Sequence, residues 1–221
     1  MDVKEAVAQR RSIRAFRADP VPRSILAEIM ERALWAPSWG NTQPWGFTIV
    51  SGNTLVRIKE TFLDQSRQSV SPNPDIPMPT TWDEVRTSRY KDLGKALFRA
   101  LGIGREDHQK RGEYYVEMTR FFGAPSLIYL HMEKGFNPYA LMDGGLFLQT
   151  IALLAADRGL GTCFLARSVH YPDVVREIAG IPANRVLVMG TAIGHPITDH
   201  PANLFRSERG KPDEFLQWVD E

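Results

Sequence analysis

Near the start of the chain, Arg10-Arg11-Ser12-Ile13-Arg14 places three guanidinium groups and a hydroxyl within five residues. Guanidinium stays charged at any working pH and presents forked donors that match a phosphate, and a serine hydroxyl adds one further donor or acceptor. The chemistry offered is an anion grip. Roughly one helix later comes Pro37-Ser38-Trp39-Gly40-Asn41-Thr42-Gln43-Pro44-Trp45. The amides of Asn41 and Gln43 can pair with both donors and acceptors, as the edge of a flat heterocycle requires. Turn chemistry accounts for Pro37, Gly40 and Asn41, but not for the run through Gln43-Pro44-Trp45. The two segments together suit a phosphorylated, planar ligand.

Other chemistry is poorly supplied. The histidines, His108, His131, His170, His195 and His200, show no metal-ligand spacing, and without a set of cysteines zinc is not expected. Gly102-Ile103-Gly104 lacks the third glycine of a dinucleotide fingerprint and does not follow a strand pattern. The lone Cys163 has no sulfur partner and no His-Asp arrangement beside it in sequence, so it reads as buried packing.

The elements that must position these residues form a mixed helix and strand order. With 221 residues, 43% of them hydrophobic, the chain can bury a sizeable core within one large domain. A formal charge of +1 provides no global field for nucleic acid or an anionic membrane, so the basic residues must act locally. Helices are predicted over Val3 to Arg11, over the apolar spacing from Ile25 to Leu34, from a cap at Asn53 to about Gln68, over Trp82 to Leu101 and Glu106 to Phe122, and over Pro138 to Arg158. Strands are predicted at Trp45 to Val50, Ser126 to Met132 and from Val186 to Gly190. Between Ser71 and Pro79 four prolines in nine residues exclude regular structure and mark an excursion or lid. The Pro138 to Arg158 helix is apolar nearly all round and needs neighbours on most sides, so part of it is expected to meet a second subunit. Its most apolar stretch, Gly144 to Ala156, is too short to span a bilayer.

The motifs R-x-S-x-R-x-F at Arg10 to Phe16 and P-S-x-x-N-x-Q-P-W at Pro37 to Trp45 resemble the signature of the FMN-dependent nitroreductase family. The resemblance implies an α+β fold with a central mixed β-sheet flanked by helices, in an intertwined homodimer. It implies one domain over residues 1–221, with a helical insertion at about 54–122 acting as a substrate lid. Arg10, Ser12 and Arg14 would hold the phosphate and ribityl end of FMN, with Arg11 contributing or lying at the surface. Arg209 would complete the grip, with Arg206 or Lys211 as the alternatives, because Gly210 interrupts the family's Arg-to-Pro spacing. Pro37, Ser38 and Trp39 would reach the flavin bound mainly by the partner subunit, with Asn41 and Gln43 near its ribityl and pyrimidine portions. Main-chain N–H groups of Phe164, Leu165 and Ala166 would face flavin N5 and O4, where such donors stabilise developing negative charge.

By the same resemblance, NADH or NADPH passes a hydride to flavin N5 and a nitroaromatic, quinone or similar flat acceptor then occupies the same space, in ping-pong order. No side chain is assigned as a catalytic acid. The insertion, with Trp82, Tyr90, Tyr114, Tyr115, Phe121 and Phe122, would choose the acceptor. Two rival readings are a reductive dehalogenase of the iodotyrosine-deiodinase type, drawing on Glu113, Tyr114 or Glu117, and a flavin-binding protein that does not turn over. A flavin-destroying branch of the family is a more distant one. The opening residues lack the apolar run of a secretory signal, so a cytoplasmic protein without nucleic-acid or membrane partners is expected.

Overall fold

A computed structural model of the chain describes residues 1–220. Its centre is strand β2 (Ser126–Glu133), apolar on both pleat faces. Leu127 and Tyr129 pack into one hydrophobic cluster and Ile128, Leu130 and Met132 into another. Alternate side chains of a strand point to opposite faces, so a strand that is apolar throughout must be covered on both. Antiparallel neighbours flank it: β1 (Trp45–Ser51) on one side and β4 (Arg185–Gly194) on the other, with β3 (Gly161–Leu165) beyond β4. The short extended stretch after Gly159 is thus a true fourth strand. The expected mixed character of the sheet is confined to one parallel bridge, Ser12 to Thr162, outside the four antiparallel strands. The long return from Gly52 to Pro125 can bring the chain back in either direction, so the sequence did not decide strand polarity.

One face of the sheet is covered by α3 (Gly52–Arg67) and α7 (Pro172–Ala179), through Ile58, Phe62 and Val175. The other carries α2 (Arg23–Ala33) and α6 (Pro138–Asp157), through Ile29, Ala33, Phe147 and Ile151. Helix α1 (Val3–Gln9) lies against α6. It ends before the expected Arg11 because Arg10 is already extended, at φ −56° and ψ 124°. Helix α3 starts at Gly52 with Ser51 in the N-cap position, without a side-chain capping bond, so Asn53 sits in the first turn and is not the cap. Asp83 and Asp107 cap α4 (Glu84–Ala100) and α5 (His108–Thr119) by accepting from the backbone N–H of Arg86 and Lys110 at 2.9 and 3.0 Å. Only Leu97 in α4 and Thr119 in α5 are buried, so this pair stands out from the core. A short α8 (Pro201–Leu204) packs near α4.

The proline-rich segment is irregular, as expected, but it is fastened down. Asp75 accepts from the backbone N–H of Leu187 at 2.7 Å and pairs with Arg176, and Tyr171 donates to the Val70 carbonyl at 3.0 Å. It straps α7 and β4 and does not behave as a lid. Helix α6, at 20 residues, is longer than the apolar run within it and is the one helix among the described residues with the length and apolarity to cross a membrane. Here it buries Asp143, Phe147, Ile151 and Ala155 while leaving Tyr139, Met142 and Leu146 41–53% exposed.

Candidate functional site

The Arg10 to Phe16 segment runs extended beside β3. Ile13 donates its N–H to the Thr162 carbonyl at 2.9 Å, and Phe16 donates to the Phe122 carbonyl at 3.2 Å. Between these points the buried Asn203 of α8 acts as a clamp. Its Oδ1 accepts from Arg14 N–H at 2.7 Å, while its Nδ2 donates to the carbonyls of Ala15 at 2.7 Å and Ile197 at 2.9 Å. Nothing in the sequence around Asn203 signals this role, because its partner lies at the opposite end of the chain. Gly161 is required here: a Cβ at that position would collide with Ile13.

Arg14 opens into a cavity of about 1110 Å³, whose floor includes Cys163, Phe164, Leu165 and Ala166 and whose walls include α4, α5 and Phe122. Arg14 and the 164–166 stretch therefore line one cavity. After β3 the chain enters a 3-10 turn at Ala166–Val169, and the leading N–H groups of such a turn have no partner within it. Burial pushes the Cys163 thiol up to about 11, against the opposing pull of Arg14 and Ser12. Burial also raises Tyr114, again opposed by Arg14. Phe121 and Phe122 both adopt left-handed backbone, at φ 55° and 57°, a conformation costing roughly 1–3 kcal/mol per residue. That distortion turns the Phe122 ring into the cavity wall and its carbonyl toward Phe16.

Arg10 and Arg11 line a separate hollow of about 130 Å³. Arg11 Nε is buried without a hydrogen-bond partner, and burial followed by the charge of Arg206 lowers the pKa of Arg11. Arg206 itself donates to the Ala8 carbonyl. Two guanidinium groups held close, one with an unspent buried donor, match an anion with several acceptor oxygens. Arg209 instead spends Nη1 on its own segment, on the Ser207 Oγ at 2.6 Å and the carbonyls of Ser207 and Glu208. Lys211 donates its backbone N–H to Glu214 at 2.6 Å. Of the three late candidates, Arg206 is the one beside the cluster.

The Pro37 to Gln43 loop lies elsewhere. Gly40, Asn41 and Gln43 take left-handed backbone at φ 53°, 57° and 48°, and Ser38 Oγ accepts from Gln43 N–H at 3.0 Å. Both carboxylate oxygens of the buried Asp143, on α6, lie 3.2 Å from Trp39 N. The Trp39 ring packs on Tyr139 at 4.6 Å between centroids. Within one chain Pro37, Ser38, Trp39, Asn41 and Gln43 are not among the residues lining the cavity that Arg14 enters. Asp143 and Tyr139, which seat the loop, were missed in the sequence because they sit in a helix that reads as plain core.

The nitroreductase family model matches residues 7–195, and the chain belongs to the nitroreductase family. Among its relatives are a 4-nitrobenzoate reductase of Nocardioides sp. (strain LMS-CY), 33% identical over 217 residues that cover 96% of this chain and 88% of that protein. The nitroreductase NfnB of Mycolicibacterium smegmatis is 34% identical over 213 residues, covering 95% and 89%. Among solved structures, an FMN and NADPH-dependent nitroreductase NfnB from Sphigopyxis sp. strain HMH superposes with a TM-score of 0.96 at 33% identity, with both chains covered in full.

Proposed function

We propose that this chain is an FMN-dependent oxidoreductase that uses NADPH or NADH to reduce nitroaromatics, quinones or similar flat acceptors, as a cytoplasmic homodimer. The observation carrying this reading is the convergence of Arg14 and the Phe164–Ala166 stretch in one cavity walled by aromatic side chains. The donor set fits FMN: Arg14 opens into that cavity, and earlier in the same arginine segment Arg11 keeps a buried, unpartnered Nε near Arg206, a donor that a phosphate group can use. Arg10, Arg11, Ser12 and Arg14, with Arg206, hold the phosphate and ribityl end. Main-chain donors at Phe164 to Ala166 face the ring edge, and Asn41 and Gln43 meet the partner's flavin together with Pro37, Ser38 and Trp39. Bound FMN supplies the two-electron redox chemistry. The protein orients the reactants and excludes water, with Tyr114, Phe122 and the α4–α5 pair covering the cavity. No side chain is assigned a proton-transfer role.

Purified protein should carry the absorbance of oxidised flavin near about 450 nm, lose it on anaerobic addition of NADPH and regain it on addition of nitrobenzene. Initial rates should give parallel double-reciprocal lines, since reductant and acceptor use one space in turn. Release of FAD, or flavin that NADPH and NADH both leave oxidised, would overturn the reading.

A further inference from the structure

We infer that the acceptor favoured by this protein is an anionic arene, a flat ring bearing a carboxylate or a similar negative group, and that Arg111 receives that group. The inference rests on the reading that the cavity admits the acceptor. Seven basic side chains and no acidic one line the cavity, although the chain as a whole carries a formal charge of only +1. Like charges gathered in a cleft with low-dielectric walls focus the field and concentrate ligands of opposite sign. Several of these cations are already engaged, Lys95 by Asp92 at 3.0 Å and Arg167 by the Thr119 hydroxyl at 2.9 Å. Arg111 differs in being held while its terminal nitrogens stay open.

Its Nε donates to the Gly104 carbonyl at 3.0 Å, and its guanidinium lies over the Phe98 ring at 4.7 Å. Among the described residues no carboxylate forms a salt bridge with it. Asp107, which feels its charge, caps α5 and pairs with Lys110 at 3.3 Å. A guanidinium fixed through Nε and stacked on an aromatic face has lost little further freedom to lose, and its two Nη groups form the fork that a carboxylate fills. The Phe98 ring meets Tyr114 edge-on at 5.3 Å, and Tyr114 stands 5.9 Å from Phe122. A continuous aromatic wall therefore runs from Phe122 to the arginine, offering contact to a flat ring and a cation to its substituent. An uncharged arene would leave this fork to water. The nucleotide reductant also carries negative charge, so the test separates the two uses.

With the flavin-loaded enzyme and NADPH, kcat/KM is measured for 4-nitrobenzoate and for its uncharged methyl ester. The acid should be favoured at least about tenfold, with a preference that shrinks as salt is added. Arg111→Met should lower kcat/KM for the acid about tenfold to a hundredfold, leaving the ester and the rate of flavin reduction by NADPH unchanged, and Arg111→Lys should restore part of the loss. Calorimetric titration of benzoate into the flavin-loaded protein should show binding that Arg111→Met weakens. The wild-type comparison needs no variant, so a poorly folding substitution does not block the test. Turnover of the ester with no preference for the acid overturns the inference and leaves the function intact, whereas flavin that neither NADPH nor NADH reduces overturns both. Equal loss in flavin reduction and in both acceptors assigns Arg111 to the nucleotide and overturns the inference.

Discussion

Arg14 is the residue at which the anion grip and the cavity meet, since its backbone is clamped by Asn203 and its side chain enters the cavity. With Arg14 holding FMN as proposed, Arg14→Ala removes a charge-assisted contact worth about 1.5–3 kcal/mol. Fluorescence titration of the apoprotein with FMN should show affinity lower by about tenfold to a hundredfold. Away from the site, Lys59 is largely buried, donates to the Ala124 carbonyl at 2.7 Å, and titrates at about 8 instead of 10.5, mainly through burial and against the pull of Glu117. Between those two values the unfolded chain holds the proton and the folded chain has released it, so this group makes stability rise as pH increases across that window. Below it the lysine is charged in both states and its contribution is flat. Urea unfolding of wild type and Lys59→Met at about pH 7 and about pH 9 should show the wild type gaining on the variant at the higher pH. Equal changes in the two proteins would place the lysine in solvent.

At the scale of elements, the Pro37 to Gln43 loop owes its shape to three left-handed residues and to one carboxylate from α6. Asp143→Ala strips the Trp39 N–H of its acceptor, so amides from Trp39 to Gln43 should exchange faster with deuterium while those of β2 keep their protection. Asp143→Asn, which keeps one acceptor oxygen, should lie between. If the loop also meets the partner's flavin, FMN affinity falls in the same order. The motif itself was legible as residues, since Ser38, Asn41 and Gln43 stand at fixed spacing. Its support was not, because Asp143 lies 104 positions from Trp39 in the chain. The α4–α5 pair was legible as two amphipathic helices, and its few buried residues agree with a cover over the cavity.

For the whole molecule, the proposed homodimer has exposed apolar surface to cover. Tyr139, Met142 and Leu146 along α6, Trp35 after α2, and Phe215, Leu216 and Trp218 near the C-terminus are all at least 41% exposed. Exposed apolar groups in this number support the proposed homodimer. Light scattering should return about twice the chain mass of 25.0 kDa. Leu146→Arg, which puts a charge on the open face of α6, should shift the protein toward monomer and release flavin along with it, because the loop and the cavity of one chain do not share a site. A flavin-loaded monomer that still oxidises NADPH would refute the shared-site arrangement.

The sequence by itself determined six of the eight α-helices and three of the four strands among the described residues, through periodicity and turn residues; α7 and α8 were not read from it. It also supplied the arginine cluster at Arg10 to Arg14 and the Pro37 to Trp45 motif as candidate binding segments, because charge and amide chemistry are properties of residues whatever their surroundings. Tertiary structure alone decided that β3 is a strand paired antiparallel to β4, that Asn203 clamps Arg14, and that Arg206 and not Arg209 stands beside Arg11. It also decided that α4 and α5 contribute cations and no acid to the cavity lining. These are relations between residues far apart in the chain, and local pattern carries no information about which distant groups packing will bring within hydrogen-bond reach.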